Sequence, residues 1–121
     1  MKGRFFLVAL LALPAAAKAQ RASDVTGANL LGFCTDRHFA RVQNCEAYLD
    51  GVADTFTGFM EFGPKDSHGK PLDAMICIPD KVRGRDLRLT VIQGLQQDTS
   101  LQSRQAVQAV ERIFHKAYPC H

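Results

Sequence analysis

The chain has 121 residues, with 15 Lys and Arg against 12 Asp and Glu, and hydrophobic residues make up 46% of it. That is the length of one small domain. Lys2, Arg4 and Lys18 precede residue 20 and no acid does, so the remainder is balanced and its charge gives no ground for a nucleic acid or an anionic membrane as partner.

Residues 1–19 read as a cleaved signal peptide. A basic start is followed by an apolar run from Phe5 to Leu13, then Pro14 and small residues. Ala17-Lys18-Ala19 places cleavage after Ala19, with Ala17 as the rival site. The run is short for a bilayer span, and an uncleaved anchor is the alternative. No cysteine stands directly after the site, which argues against a lipoprotein. Residues 20–121 are then a single exported domain, with no membrane association after cleavage.

The remaining periodicity is helical. A first helix is expected from about Asp24, as cap, to Cys34 or Thr35, with Leu30, Leu31 and Cys34 on one side. Residues 36–41 connect it to a second helix, Val42 to Glu61. There Cys45, Leu49, Val52, Phe56 and Met60 form an apolar stripe, and Glu46, Asp50 and Asp54 repeat on the far side. Gly51 inside this helix costs about 1 kcal/mol relative to alanine, which suggests close approach of another group; a tolerated, exposed glycine is the alternative. Residues 63–80 hold three prolines and two glycines and read as a long loop. A third helix is expected from Arg83 to Gln97, with Leu87, Val91 and Leu95 inward. Asp98-Thr99-Ser100 is a stop and restart. A fourth helix spans about Leu101 to Tyr118, with Ala106, Val110, Ile113, Phe114 and Ala117 on one side. Arg104, Gln108, Glu111, Arg112 and His115 line the other. The expected fold is a small all-α four-helix bundle.

The four cysteines, Cys34, Cys45, Cys77 and Cys120, all follow the export segment. An even count in a small exported chain reads as two disulfides. Close CxxC pairs for zinc are lacking, and a metal site including His121 is the alternative. If helices one and two form a hairpin, Cys34 meets Cys45. If helices three and four do, Cys77 meets Cys120. The crossed pattern, Cys34–Cys120 with Cys45–Cys77, stays open at this level.

No catalytic signature is present: neither HExxH nor GxSxG, and no phosphate loop. His38, His68, His115 and His121 lie in separate segments. We therefore expect neither an enzyme nor a cofactor. Glu46, Asp50 and Asp54 read as a solvated face or a partner-facing ridge. Lys81, Arg83, Arg85 and Arg88 oppose the macrodipole at the start of the third helix, which suggests a partner or an internal acidic mate.

Four stretches carry a resemblance to a known family: ANLLGFC at 28–34, CEAYLDGVAD at 45–54, CIPDKV at 77–82 and AYPC at 117–120. In this order, behind a signal peptide, they resemble the Rap/Tai immunity proteins of type VI secretion systems. The resemblance implies a small periplasmic helical protein, commonly a homodimer, that binds and blocks a peptidoglycan amidase or other cell-wall hydrolase delivered by a neighbouring cell. It makes the four cysteines structural and Tyr48, Gly51 and Asp54 part of a helix motif. The chain departs from the pattern in its long GPKDSHGKPLDAM segment and in the SLQSRQAVQAV opening of the fourth helix.

A proline-rich loop loses less entropy on docking than a floppy one. Residues 63–76 are thus the expected recognition element, with Phe59, Phe62 and Met75 as apolar anchors and Lys65, Asp66 and His68 as polar contacts. Alternatives are a small acid-activated periplasmic chaperone, triggered by protonation of Glu46, Asp50 and Asp54, and an unassigned envelope function.

Overall fold

The computed structural model describes residues 23–71 and 76–121. The export segment and its cleavage site lie outside that range, as does Met75. The described residues form helices α1 (Gly27–Cys34), α2 (Phe39–Phe62), α3 (Gly84–Gln97) and α4 (Ala106–Ala117), with a 3₁₀ turn at Thr99–Ser103 between the last two. No helix among the described residues is long and apolar enough to cross a membrane. The expected all-α bundle is what forms.

Each helix contributes the stripe that its spacing dictates. Leu30, Leu49, Val91, Leu95, Val110 and Phe114 are each at most 1% exposed and make the centre of the core. Leu87 joins them from α3, and Leu101 from the 3₁₀ turn. Ala117 does not: it is exposed at the end of α4, beyond the edge of the core.

Helix α1 begins later than Asp24. Thr26 is its cap: the Asn29 N–H donates to Thr26 Oγ1 at 3.2 Å, and the Thr26 N–H donates to Asn29 Oδ1 at 3.1 Å. The segment before α1 also pairs with the segment before α4. The Ala106 N–H donates to the Val25 carbonyl at 2.8 Å, and the Gly27 N–H to the Arg104 carbonyl at 2.9 Å. This pairing explains why the fourth helix starts at Ala106 and not at Leu101. Gln105 is held extended, and the Ala106 donor is committed outside its own helix. Gly27 sits against the same turn, where a Cβ would collide with the Leu101 carbonyl oxygen.

Helix α2 starts earlier than Val42, because Asp36 organises the connection. Its carboxylate accepts the His38 backbone N–H at 2.8 Å and also meets the ring Nδ1 of His38 and the Arg41 guanidinium. Arg41 in turn lies over the Phe33 ring, 5.5 Å from its centroid. Asp98 serves both the end of α3 and the start of the 3₁₀ turn: its N–H donates to the Gly94 carbonyl, and its side chain accepts the Ser100 N–H.

The bridges are Cys34–Cys45 and Cys77–Cys120, which removes the crossed alternative. The first is fully buried between α1 and α2. The second is half-buried and ties the approach to α3 to the end of α4, where the Cys77 N–H donates to the Tyr118 carbonyl at 2.8 Å.

Candidate functional site

At about 1.5 Å per residue, the 24 residues of α2 span roughly 36 Å. Its buried positions, Cys45, Leu49, Val52 and Ala53, end near the middle. Phe56 is half-buried against the core, and past it the helix carries no buried residue. Phe59 is 57% exposed and Phe62 is 83% exposed. The end of α2 therefore presents two aromatic rings to solvent, with half-buried Met60 between them in sequence.

The chain then turns in a compact tip. Lys65 and Pro71 form an antiparallel bridge. The Asp66 N–H donates to the Lys70 carbonyl at 2.8 Å. Asp66 Oδ1 accepts two backbone N–H groups, from His68 at 2.8 Å and from Lys70 at 2.9 Å. Gly69 has φ of 76°, a conformation that favours glycine. Asp66 thus shapes the tip, while Lys65 and His68 are exposed on it. The structure brings Phe59, Phe62, Lys65, Asp66 and His68 onto one continuous stretch, the end of α2 and the turn that follows it.

The acids of α2 are placed differently from the far-side expectation. Glu46 faces α3, where its Oε1 accepts from Arg88 Nε at 3.0 Å. Arg88 also donates to the Cys34 carbonyl at 3.2 Å, at the end of α1. This is the internal acidic mate for the basic cluster. The Asp50 carboxylate lies beside the first residue of α3, 3.1 Å from where a Gly84 Cβ would be. There it offsets the helix dipole, together with Asp86, which accepts the Arg83 N–H at 2.9 Å. Arg83 reaches the Asp80 carbonyl at 2.8 Å. Lys81, Arg85 and Asp54 are exposed.

Within the helix motif, Tyr48 is half-buried against the core, and burial pushes its phenol above the ordinary value. Gly51 is exposed, and a Cβ there would meet nothing within 4 Å. The close-approach reading of Gly51 is therefore wrong. Thr55 Oγ1 donates to the Gly51 carbonyl at 2.8 Å, and no neighbouring element exploits the missing side chain. Besides Gly27, a glycine that does allow close approach is Gly94. A Cβ there would lie 2.6 Å from Ile113 Cγ1, at the crossing of α3 and α4.

Sequence reasoning did not find the Arg88–Glu46 pair, because its partners are far apart in sequence and the apolar stripe alone does not report a second packed face on α2. The role of Asp66 was legible in principle, since Asp-Ser-His-Gly is turn chemistry.

The family model described as Rap1a immunity proteins matches residues 26–120. That span contains all four helices and both disulfides. No curated protein and no solved structure matches the chain. The family supports an immunity function against a secreted effector, by binding rather than by catalysis. The chain belongs to the Rap1a immunity protein family.

Proposed function

We propose that the exported protein acts in the periplasm as the inhibitor of a cognate peptidoglycan amidase delivered by a type VI secretion system. The end of α2 and the turn after it occupy the substrate groove of the toxin. The observation that carries this reading is the pair of exposed rings, Phe59 and Phe62, leading into a turn ordered by Asp66. Aromatic residues in such positions dominate binding energies once water is excluded around them. An ordered turn loses less freedom on docking than an unstructured one. An interface of about 1,600 Å² in total is enough for a stable complex. Amidase hydrolysis consumes water, so filling the groove removes both the substrate and its co-reactant. The family resemblance also implies a homodimer, which light scattering on the free protein tests.

The deciding experiment is capture from periplasmic extract on the disulfide-bonded protein, with mass spectrometry of the bound fraction and an assay of peptidoglycan hydrolysis. A stoichiometric cell-wall amidase, inhibited by the protein and released by deletion of residues 63–76, is the expected result. Helical content and melting should survive that deletion. An unaffected complex would remove the tip from the mechanism. Retention of many unfolded proteins at acid pH would favour a chaperone instead.

A further inference from the structure

The outer surface of α3 and α4 carries an open groove of about 900 Å³. Its lining comes from α3, α4 and the turn between them, and none of it from α2 or the loop after α2. It is a surface separate from the α2 tip, and its binding chemistry does not depend on whether that tip engages an amidase.

The two walls differ in character. The α3 wall offers Thr90, Gln93 and Gln97, polar and uncharged. The other wall offers a cationic ridge: Arg104, just ahead of α4, then Gln108, Arg112 and Lys116, which repeat at every fourth residue on α4. The closeness of the walls follows from Gly94, which lets α3 rest on Ile113 at the base of the groove. Among the described residues, the ion pairs are His38–Asp36, Arg41–Asp36 and Arg88–Glu46, so the three cations of the ridge are uncommitted. Of the acids in the lining, Asp98 is engaged with the Ser100 N–H and hydroxyl. That leaves Glu111 as the one uncommitted carboxylate facing three cations. Gln93, Gln97 and Gln108 make no side-chain hydrogen bond among the described residues, and their amides each offer donors and an acceptor.

From this arrangement we infer that the groove binds an extended, acidic segment of a protein partner. Same-face side chains of an extended chain recur at about 6.6–6.8 Å. Arg112 and Lys116 are one turn apart on α4, about 6 Å along the axis. Carboxylates at alternate positions of the segment meet the cationic ridge, and the peptide backbone meets the glutamine amides opposite. A nucleic acid strand fits less well, because the lining offers no Phe, Tyr or Trp and the His115 imidazole is its one ring, too few for successive bases to stack on. A simple anion would leave the glutamine wall without a role.

The test uses the disulfide-bonded, ¹⁵N-labelled protein and an octapeptide of alternating Glu and Ala at low ionic strength. The Lys-Ala octapeptide and inorganic polyphosphate serve as controls. Saturable shifts of the Gln93, Gln97 and Gln108 side-chain amide signals are expected with the acidic peptide alone. R112E/K116E should weaken that binding by about tenfold or more, since two attractive contacts become repulsive. K81E, on an exposed residue outside the groove, should leave it unchanged. Circular dichroism checks that each variant stays folded. The absence of saturable shifts, an R112E/K116E variant that binds as the parent does, or polyphosphate moving the same glutamine signals would each overturn the assignment.

Discussion

Arg88 of α3 and Glu46 of α2 are joined Nε to Oε1 at 3.0 Å, and the same guanidinium donates to the Cys34 carbonyl at 3.2 Å. One side chain therefore ties three helices together, next to the buried Cys34–Cys45 bridge. The two charged side chains are 21% and 30% exposed, so the contact is partly shielded from water. An exposed pair contributes about 0.2–1 kcal/mol, and a hydrogen bond to a charged group adds about 1.5–3 kcal/mol.

The asymmetry of these contacts is testable. R88A leaves both Glu46 and the Cys34 carbonyl without their partner, and should cost about 2 kcal/mol. E46A leaves the Arg88–Cys34 contact intact and should cost less, about 1 kcal/mol. A double-mutant cycle by urea unfolding measures the coupling, which contact predicts at about 0.5 kcal/mol or more. Zero coupling would show that the pair is fully screened.

The reach of the sequence depends on which interactions are local. The stripe Cys45, Leu49 and Val52 was legible because a helix repeats its buried face every three or four residues, and all three are buried. Asp98 was legible as a stop because it is a short polar residue between two apolar periods. Glu46 and Asp50 were misread as a far side because α2 packs on both α1 and α3, so one of its polar rows faces a neighbour. The start of α4 was misplaced because it is set by pairing with Val25 and Thr26, some eighty residues earlier. At the tip, the exposed rings and the turn residues were visible as types. Asp66 was legible as a turn former from Asp-Ser-His-Gly, but its second acceptance, from the Lys70 N–H, depends on backbone geometry that no spacing reports.

Two glycines that look alike in sequence should respond oppositely to alanine. At Gly51 a Cβ enters open space, so G51A should stabilise the protein by about 0.5–1 kcal/mol through helix propensity alone. At Gly94 the same methyl would meet three Ile113 side-chain atoms at 2.6, 2.8 and 2.9 Å. G94A should destabilise by about 1–3 kcal/mol, the usual range for overpacking. I113V removes the Cδ1 atom of that clash and should restore part of the loss. Thermal melts of the single variants and of G94A/I113V together check all of this, and a destabilised G51A would mean that its surface has an unrecognised contact.

The two bridges should differ in accessibility. Cys34 and Cys45 are 0% and 1% exposed, whereas Cys77 and Cys120 are both half-buried. A dithiol reductant under native conditions should open Cys77–Cys120 first, because attack on a sulfur requires access to it. Alkylation and peptide mass spectrometry at increasing reductant read the order directly. The thermodynamic ranking tracks loop length in the chain-entropy model, with separations of 43 and 11 residues corresponding to about 4 and about 3 kcal/mol. Alkylation of Cys34 and Cys45 ahead of the other pair would show that the α1–α2 hairpin opens more readily than its burial implies.

Asp36 makes the acid side of the stability profile sensitive to one residue. The His38 backbone N–H, then the His38 ring, hold its carboxyl below the ordinary value, with Arg41 adding a smaller attraction. The folded pKa is lower than the unfolded one, so folding favours the ionised form. The contribution is complete at pH above the unfolded value of about 3.9 and is lost as pH falls through the lowered folded value. D36N keeps the shape and an acceptor but removes the charge. It should melt lower than the parent at neutral pH, and the difference should persist down to about pH 5. Below that the two curves should converge, as the parent loses the same charge by protonation. Melting curves of both proteins from neutral to strongly acid solution test the sign, and curves that stay parallel to the acid end would place the stabilising charge elsewhere.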